Sequence, residues 1–236
     1  MCLRTDALHR STQVYVLLPD HRTPGEKLRS LYYLHGYSAN PSKILEGFPL
    51  ERYAEKYHVA IILPDVQKSF YCNLPDGMNY YDYVAKDLPL ILEEMLGLSP
   101  RPEDRFLSGI SMGGYGTLKL ALTESGRYAA AAALSPVGDL NLIPNFFGRY
   151  AFYDLAEKPV IPPTEDLCAL AEHCERRPRL YISIGTEDFL YKSVQPLREK
   201  LTGLQYDFTY CQRPGQHDWD FWKDEMEPSF RFLFGR

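Results

Sequence analysis

Gly109-Ile110-Ser111-Met112-Gly113 has the residue types and spacing of a nucleophile elbow. A serine with a glycine two residues away on either side can sit on a strained turn, its hydroxyl pushed out above a sheet. Arg105-Phe106-Leu107-Ser108 before it reads as a buried strand, and Gly114 to Glu124 after it reads as a helix. A lone Gly-x-Ser-x-Gly also occurs in glycine-rich turns with an ordinary surface serine. The flanking strand and helix separate this one from that reading.

A serine hydroxyl is a weak nucleophile until a base takes its proton. In a strand–elbow–helix architecture the base and its carboxylate follow in the order Ser, Asp or Glu, His. Only His173 and His217 lie downstream of Ser111. His217 sits in a Pro-Gly loop after the alternating run Tyr206-Asp207-Phe208-Thr209-Tyr210, so a strand end can present it. His173 lies in Ala169-Leu170-Ala171-Glu172-His173-Cys174-Glu175, a polar helix face, and reads better as a solvated histidine. The carboxylate must come between Ser111 and His217. Asp188 follows Leu180-Tyr181-Ile182-Ser183-Ile184-Gly185, the clearest strand of the C-terminal half, and stands where sheet enzymes place functional groups. Glu187 is adjacent but points the other way, and Asp139 after the Ala131–Leu134 strand suits a variant arrangement. A plain helix-capping role for Asp188 is the bland alternative.

An acyl-transfer site also needs donors for the oxyanion. The N–H of Met112, next to the nucleophile, is one expectation. Leu31-Tyr32-Tyr33-Leu34-His35-Gly36-Tyr37 supplies the other: an apolar strand ending in His-Gly, where Gly36 lets the chain turn the Tyr37 N–H towards the serine. His35 reads as a residue that orders this loop. A histidine base predicts activity that rises with pH through the imidazole range, about 6.5 for a free side chain.

The elements that must position these groups alternate. Strands are expected at Thr12 to Leu18, Leu28 to Leu34, Val59 to Leu63, Arg105 to Ser108, Tyr128 to Leu134, Leu180 to Ile184 and Tyr206 to Tyr210. Helices are expected at Pro49 to Tyr57, Asn79 to Leu96, Gly114 to Glu124, Phe189 to Leu201 and Trp219 to Phe234. Leu88, Ile91, Leu92 and Met95 fall on one helical face, and Pro89 should kink or restart that helix. Such alternation predicts an α/β fold, a mostly parallel sheet with helices on both faces, in one domain over residues 1–236.

Residues 140–170 break the alternation. Phe146, Phe147, Tyr150, Phe152 and Tyr153 are interspersed with Pro144, Pro159, Pro162 and Pro163. Its place after a catalytic-edge strand favours a lid whose Phe146 and Phe147 wall the acyl site, against a surface subdomain packed on the sheet. The loop Ser69-Phe70-Tyr71-Cys72-Asn73 is expected to add a wall through Tyr71. Gly36 should line the site, and Trp219 either shapes the pocket or caps its helix.

Composition excludes other classes. The net charge is −5, against the basic patches expected of a nucleic-acid or anionic-membrane binder. There is no apolar run of 18 residues and no apolar leader within Met1 to His9, so a cytoplasmic protein is expected; a homo-oligomer stays open. Five scattered cysteines without Cys-x-x-Cys spacing argue for free thiols and against a metal site; no dinucleotide or P-loop signature is present.

Leu34-His35-Gly36-Tyr37-Ser38-Ala39-Asn40, Ser69-Phe70-Tyr71, Gly109 to Gly116, Gly185-Thr186-Glu187-Asp188-Phe189-Leu190 and His217-Asp218-Trp219-Asp220-Phe221-Trp222 occur together and in order. The chain thereby resembles the α/β-hydrolase serine esterases related to S-formylglutathione hydrolase, above all the bacterial tributyrin and feruloyl (cinnamoyl) esterases, from about Val14 to Phe234. The resemblance implies Ser111 as nucleophile, His217 as base, Asp188 as its partner, and Tyr37 and Met112 as oxyanion donors. It implies hydrolysis of small-molecule esters of short or aromatic acids without a cofactor. S-formylglutathione hydrolases usually carry Ser-Gly where this chain has His35-Gly36, and a longer chain, which counts against glutathione thioesters; acyl transfer on the same triad is a further alternative.

Overall fold

The computed structural model describes residues 1–74, 77–142 and 161–235. Eight strands form one sheet in the order β1-β2-β4-β3-β5-β6-β7-β8. β1 (Cys2–Arg4) and β2 (Ser11–Leu17) form an antiparallel edge, and β2 runs antiparallel to β4 (Val59–Pro64). From β4 onward, β3 (Arg29–Leu34), β5 (Arg105–Ile110), β6 (Ala130–Leu134), β7 (Arg179–Gly185) and β8 (Phe208–Arg213) are all parallel.

Strands covered on both faces read as continuous apolar runs. All of β4, β5 and β6 is buried. Successive side chains alternate between two cores. Ala131 and Ala133 face a core shared with Leu118 and Leu122 of α5 (Met112–Thr123), whereas Ala130 and Ala132 face one shared with Met226 and Phe230 of α8 (Trp219–Phe234). Alanines in β6 let both helices come close to the sheet.

The other helices are α1 (Pro41–Gly47), α2 (Leu50–Tyr57), α3 (Tyr80–Asp82), α4 (Leu88–Leu96), α6 (Leu167–His173) and α7 (Tyr191–Gly203). A π-helical turn, Tyr83–Asp87, joins α3 to α4 and leaves Pro89, which has no N–H, in the first turn of α4. Met95 is 59% exposed, contrary to the periodicity. Gly97, at φ +66°, ends α4 and the chain buries Leu98 instead. β8 starts two residues later than the alternation suggests; Tyr206 precedes it, buried with its hydroxyl on the carbonyl of Ala171. α1 was not expected, although Asn40, whose side chain accepts from the Lys43 N–H at 2.9 Å, and Pro41 form a standard helix start.

β3 lies between β4 and β5, so the chain passes from β3 to β4 on one side and then crosses back to β5 on the other. The crevice beyond the carboxyl ends of strands at such a switch point is where open α/β sheets hold ligands. Among the described residues, no helix is long and apolar enough to cross a membrane.

Candidate active site

Ser111 occupies the single residue between β5 and α5, at φ +55°, ψ −117°. That conformation is disfavoured for a residue with a Cβ and is retained only where surroundings enforce it. Here they do. A Cβ on Gly113 would lie 2.0 Å from the carbonyl oxygen of Leu34, and one on Gly109 would lie 2.5 Å from that of Gly113. The helix therefore sits directly on β3 and β5. The Ser111 N–H donates to the Leu134 carbonyl at 2.9 Å, which ties the turn to β6.

The three residues singled out by chain order meet. The Ser111 hydroxyl donates to Nε2 of His217 at 2.9 Å, and His217 Nδ1–H donates to Oδ2 of Asp188 at 2.8 Å. Asp188 is buried in the β7–α7 loop, and its Oδ1 accepts from the Leu190 N–H at 2.8 Å. With both oxygens engaged it is an acceptor only, which leaves the His217 proton on Nδ1 and Nε2 facing the serine. The His217 ring is packed by Phe189 (centroids 4.6 Å apart) and by the edge of Trp222 (5.0 Å).

A clamp that sequence reasoning did not find joins the acid and base loops. The Glu187 Oε2 accepts from the Gly215 N–H at 2.5 Å while the Glu187 N–H donates to the Gly215 carbonyl at 3.1 Å. The Thr186 hydroxyl and this Gly215 N–H hold the Glu187 carboxyl below the usual carboxylate range. Behind it, Arg213 Nε donates to Glu225 Oε1 (2.9 Å), and the Tyr181 hydroxyl donates to Glu225 Oε2 (2.7 Å), anchoring the base loop to α8 and β7.

The loop after β3 is ordered by His35. The Val66 N–H donates to its Nε2 at 3.2 Å, so the ring proton is on Nδ1 and donates to the Gly36 carbonyl at 2.9 Å. Burial pushes the imidazole pKa down and keeps the ring neutral. The Ala39 N–H donates to the same Gly36 oxygen at 3.1 Å. In a trans peptide the N–H points opposite to the C=O, so fixing the Gly36 carbonyl fixes the direction of the Tyr37 N–H. A Cβ on Gly36 would lie 3.4 Å from Ser111 Cβ, which brings this loop against the serine. Met112 opens α5, so its N–H has no intrahelical acceptor.

A cavity of about 360 Å³ opens over Ser111 and His217. Gly36, Tyr37 and Trp219 line it, and so do Phe189, Trp222 and Ile110, which lay within the motifs without being expected as walls, and Lys43, which lay outside them. Trp219 is a wall; the helix cap is Asp218, whose side chain accepts from the Phe221 N–H. Tyr71 is not part of the wall. It is fully buried, with its hydroxyl on the His35 carbonyl at 3.0 Å, and supports the β3 loop from behind. Phe146 and Phe147, with most of the expected lid, lie outside the described residues. His173 bonds its own helix at the Ala169 carbonyl, and Asp139 bonds Asn141, so neither joins the site.

Residues 5–233 match the family described as "Putative esterase". The chain belongs to this esterase family. It is 26% identical over 249 residues to an acetyl esterase of Caldicellulosiruptor saccharolyticus, a match spanning 96% of this chain and 94% of that one. The S-formylglutathione hydrolase FrmB of Staphylococcus aureus superposes with a TM-score of 0.89 at 26% identity, covering 99% of this chain and 97% of that one. FphF, a fluorophosphonate-binding serine hydrolase of the same organism solved with substrate bound, gives 0.88 at 26% identity, covering 100% and 97%. The fold is that of the α/β-hydrolases and the chain is a serine esterase.

Proposed function

We propose that the esterase hydrolyses short-chain or aromatic acyl esters through a Ser111–His217–Asp188 triad and an acyl-enzyme. The observation that carries this reading is the unbroken hydrogen-bond chain from Asp188 through His217 to Ser111 at the floor of an aromatic-lined cavity. Neutral His217 takes the Ser111 proton as the hydroxyl attacks the ester carbonyl, and Asp188 holds the tautomer and steadies the imidazolium. The Tyr37 and Met112 N–H groups receive the oxyanion; losing one such donor costs about 10²–10³ in turnover. The imidazolium then protonates the departing alcohol, and water repeats the sequence on the acyl-enzyme. Phe189, Trp219 and Trp222 offer an apolar surface to the substrate's acyl group.

Hydrolysis of matched acetyl, butyryl, octanoyl and feruloyl esters, with Ser111→Ala as blank, tests this. Turnover lost in the variant and graded by acyl group is the expected outcome; equal rates in both proteins would overturn it. Thioester hydrolysis on the same triad is the second reading. The chain spans 97% of an S-formylglutathione hydrolase, so the length difference set against that reaction does not separate the two. A thioester and its oxygen ester of identical acyl group, compared side by side, distinguish them.

A further inference from the structure

The catalytic cavity continues into a second groove, of about 670 Å³, between the loop after β3 and the loop after β4. Tyr37, Ser38, Ala39 and Lys43 line both spaces, so the two are contiguous. Lys43 and Lys68 bring two exposed ammonium groups to this groove, in a chain whose net charge is −5. Among the described residues neither lysine has a carboxylate in salt-bridge range. Asp65 also lines the groove, but its Oδ1 accepts from the Gln67 N–H at 2.9 Å and lies 3.7 Å from His35 Nε2, so it serves the loop's own structure.

Lys68 is not an arbitrary surface lysine. Its loop carries three non-glycine residues in the left-handed region, Gln67 (φ +52°), Phe70 (φ +52°) and Tyr71 (φ +57°), a conformation maintained only by surrounding bonds. Those bonds run from Val66 and Tyr71 to His35, from the Tyr71 N–H to Ser69 Oγ (3.1 Å), and from buried Lys119 to the Tyr71 carbonyl (3.1 Å). The result sets the Lys68 ammonium over the Tyr37 ring, 4.7 Å from its centroid, with that ring resting on Phe70. A strained and heavily bonded loop thus holds a positive charge beside the mouth of the reaction cavity.

We propose that this groove is a subsite for a carboxylate on the substrate, so that the esterase favours esters whose portion running out past Tyr37 ends in an anion. The inference rests on Ser111 being the nucleophile. Lys43 at the junction meets the chain as it leaves the cavity, and Lys68 receives its charged end. The carboxylate can belong to either side of the ester: a half-ester of a dicarboxylic acid, or an ester of a hydroxy acid.

Two matched pairs test it. On the acyl side, 4-nitrophenyl hydrogen glutarate is compared with 4-nitrophenyl pentanoate; on the alcohol side, 3-carboxypropyl butyrate with butyl butyrate. The charged-to-neutral ratio of kcat/KM is measured for the wild type and for the Lys43→Gln/Lys68→Gln double variant. In one of the two pairs the ratio should fall about tenfold in the double variant, mostly through KM, and 0.5 M salt should compress the wild-type ratio. A ratio unchanged in both pairs overturns the subsite. Ser111→Ala, inactive on all four esters, is also titrated calorimetrically with the charged ester of the responding pair, with and without the two lysine substitutions. Weaker binding without the lysines supports the subsite and lysine-independent binding contradicts it, whereas hydrolysis persisting in Ser111→Ala would instead contradict the nucleophile assignment.

Discussion

On the Ser111 side of the site the chain is held by backbone packed on backbone; on the Asp188–His217 side a contact of the same kind, Gly185 against the Gly215 carbonyl, is joined by a set of side-chain hydrogen bonds. Gly113 lies so close to Leu34 that a single methyl has no room, and Ser111 is forced into its left-handed conformation by that packing. The acid and base loops add to their Gly185–Gly215 packing the Glu187 carboxylate gripping Gly215 and the Arg213–Glu225–Tyr181 bridge, with Leu190 and Asp188 completing the set. The nucleophile must be displayed in a high-energy turn, which only dense packing maintains. The histidine must change protonation state in place, which polar partners control. Damage to the backbone packing around Ser111 should therefore register as lost folding, and loss of the polar groups around His217 as lost turnover in a folded protein.

The largest expected effect on the polar side is that of Asp188→Asn. It keeps the shape but lets the His217 ring adopt the wrong tautomer, and should lower kcat by about 10⁴ with the melting temperature little changed. Its counterpart on the packed side is Gly113→Ala. Backbone cannot step aside as a side chain can, so a loss of about 3 kcal/mol or more is expected in denaturant unfolding, with activity falling alongside it. If Gly113→Ala melts normally while losing turnover, the contrast between the two regions breaks down.

Smaller effects sharpen the contrast. Glu187→Ala should lower kcat about tenfold with KM little altered, because His217 loses a fixed approach to Ser111; Glu187→Gln, which still accepts from Gly215, should recover most of it. An equal loss in both variants would mean that the clamp does not position the base. His35 yields the mildest effect, a pH dependence of stability. Burial lowers its native pKa below that of the unfolded chain, so its contribution is fully present above the ordinary imidazole value and declines as pH falls toward the native one, where the unfolded chain already holds the extra proton. Urea unfolding from pH 7 to 5 should show a shallower decline in His35→Gln than in the wild type.

The sequence was legible where function is local or ordered along the chain. The elbow is a contiguous motif, and Asp188 and His217 each stand at the end of a recognisable strand, so chain order and strand ends sufficed to bring all three together. The Glu187–Gly215 bond was not legible, because its partners are 28 residues apart on loops whose register is set only when β7 pairs with β8. Tyr71 was misjudged as a pocket wall because a tyrosine supporting a loop and one lining a cavity have the same sequence signature. Phe189 and Trp222 lay within the motifs that were recognised, but only the fold shows both turned onto the His217 ring.

The most direct test of the central claim is intact-protein and peptide mass spectrometry after reaction with a fluorophosphonate. The account predicts a single adduct located on Ser111, absent from Ser111→Ala and much slowed in His217→Ala. Labelling that persists in Ser111→Ala, or proceeds at the wild-type rate without His217, would contradict a serine activated by that histidine.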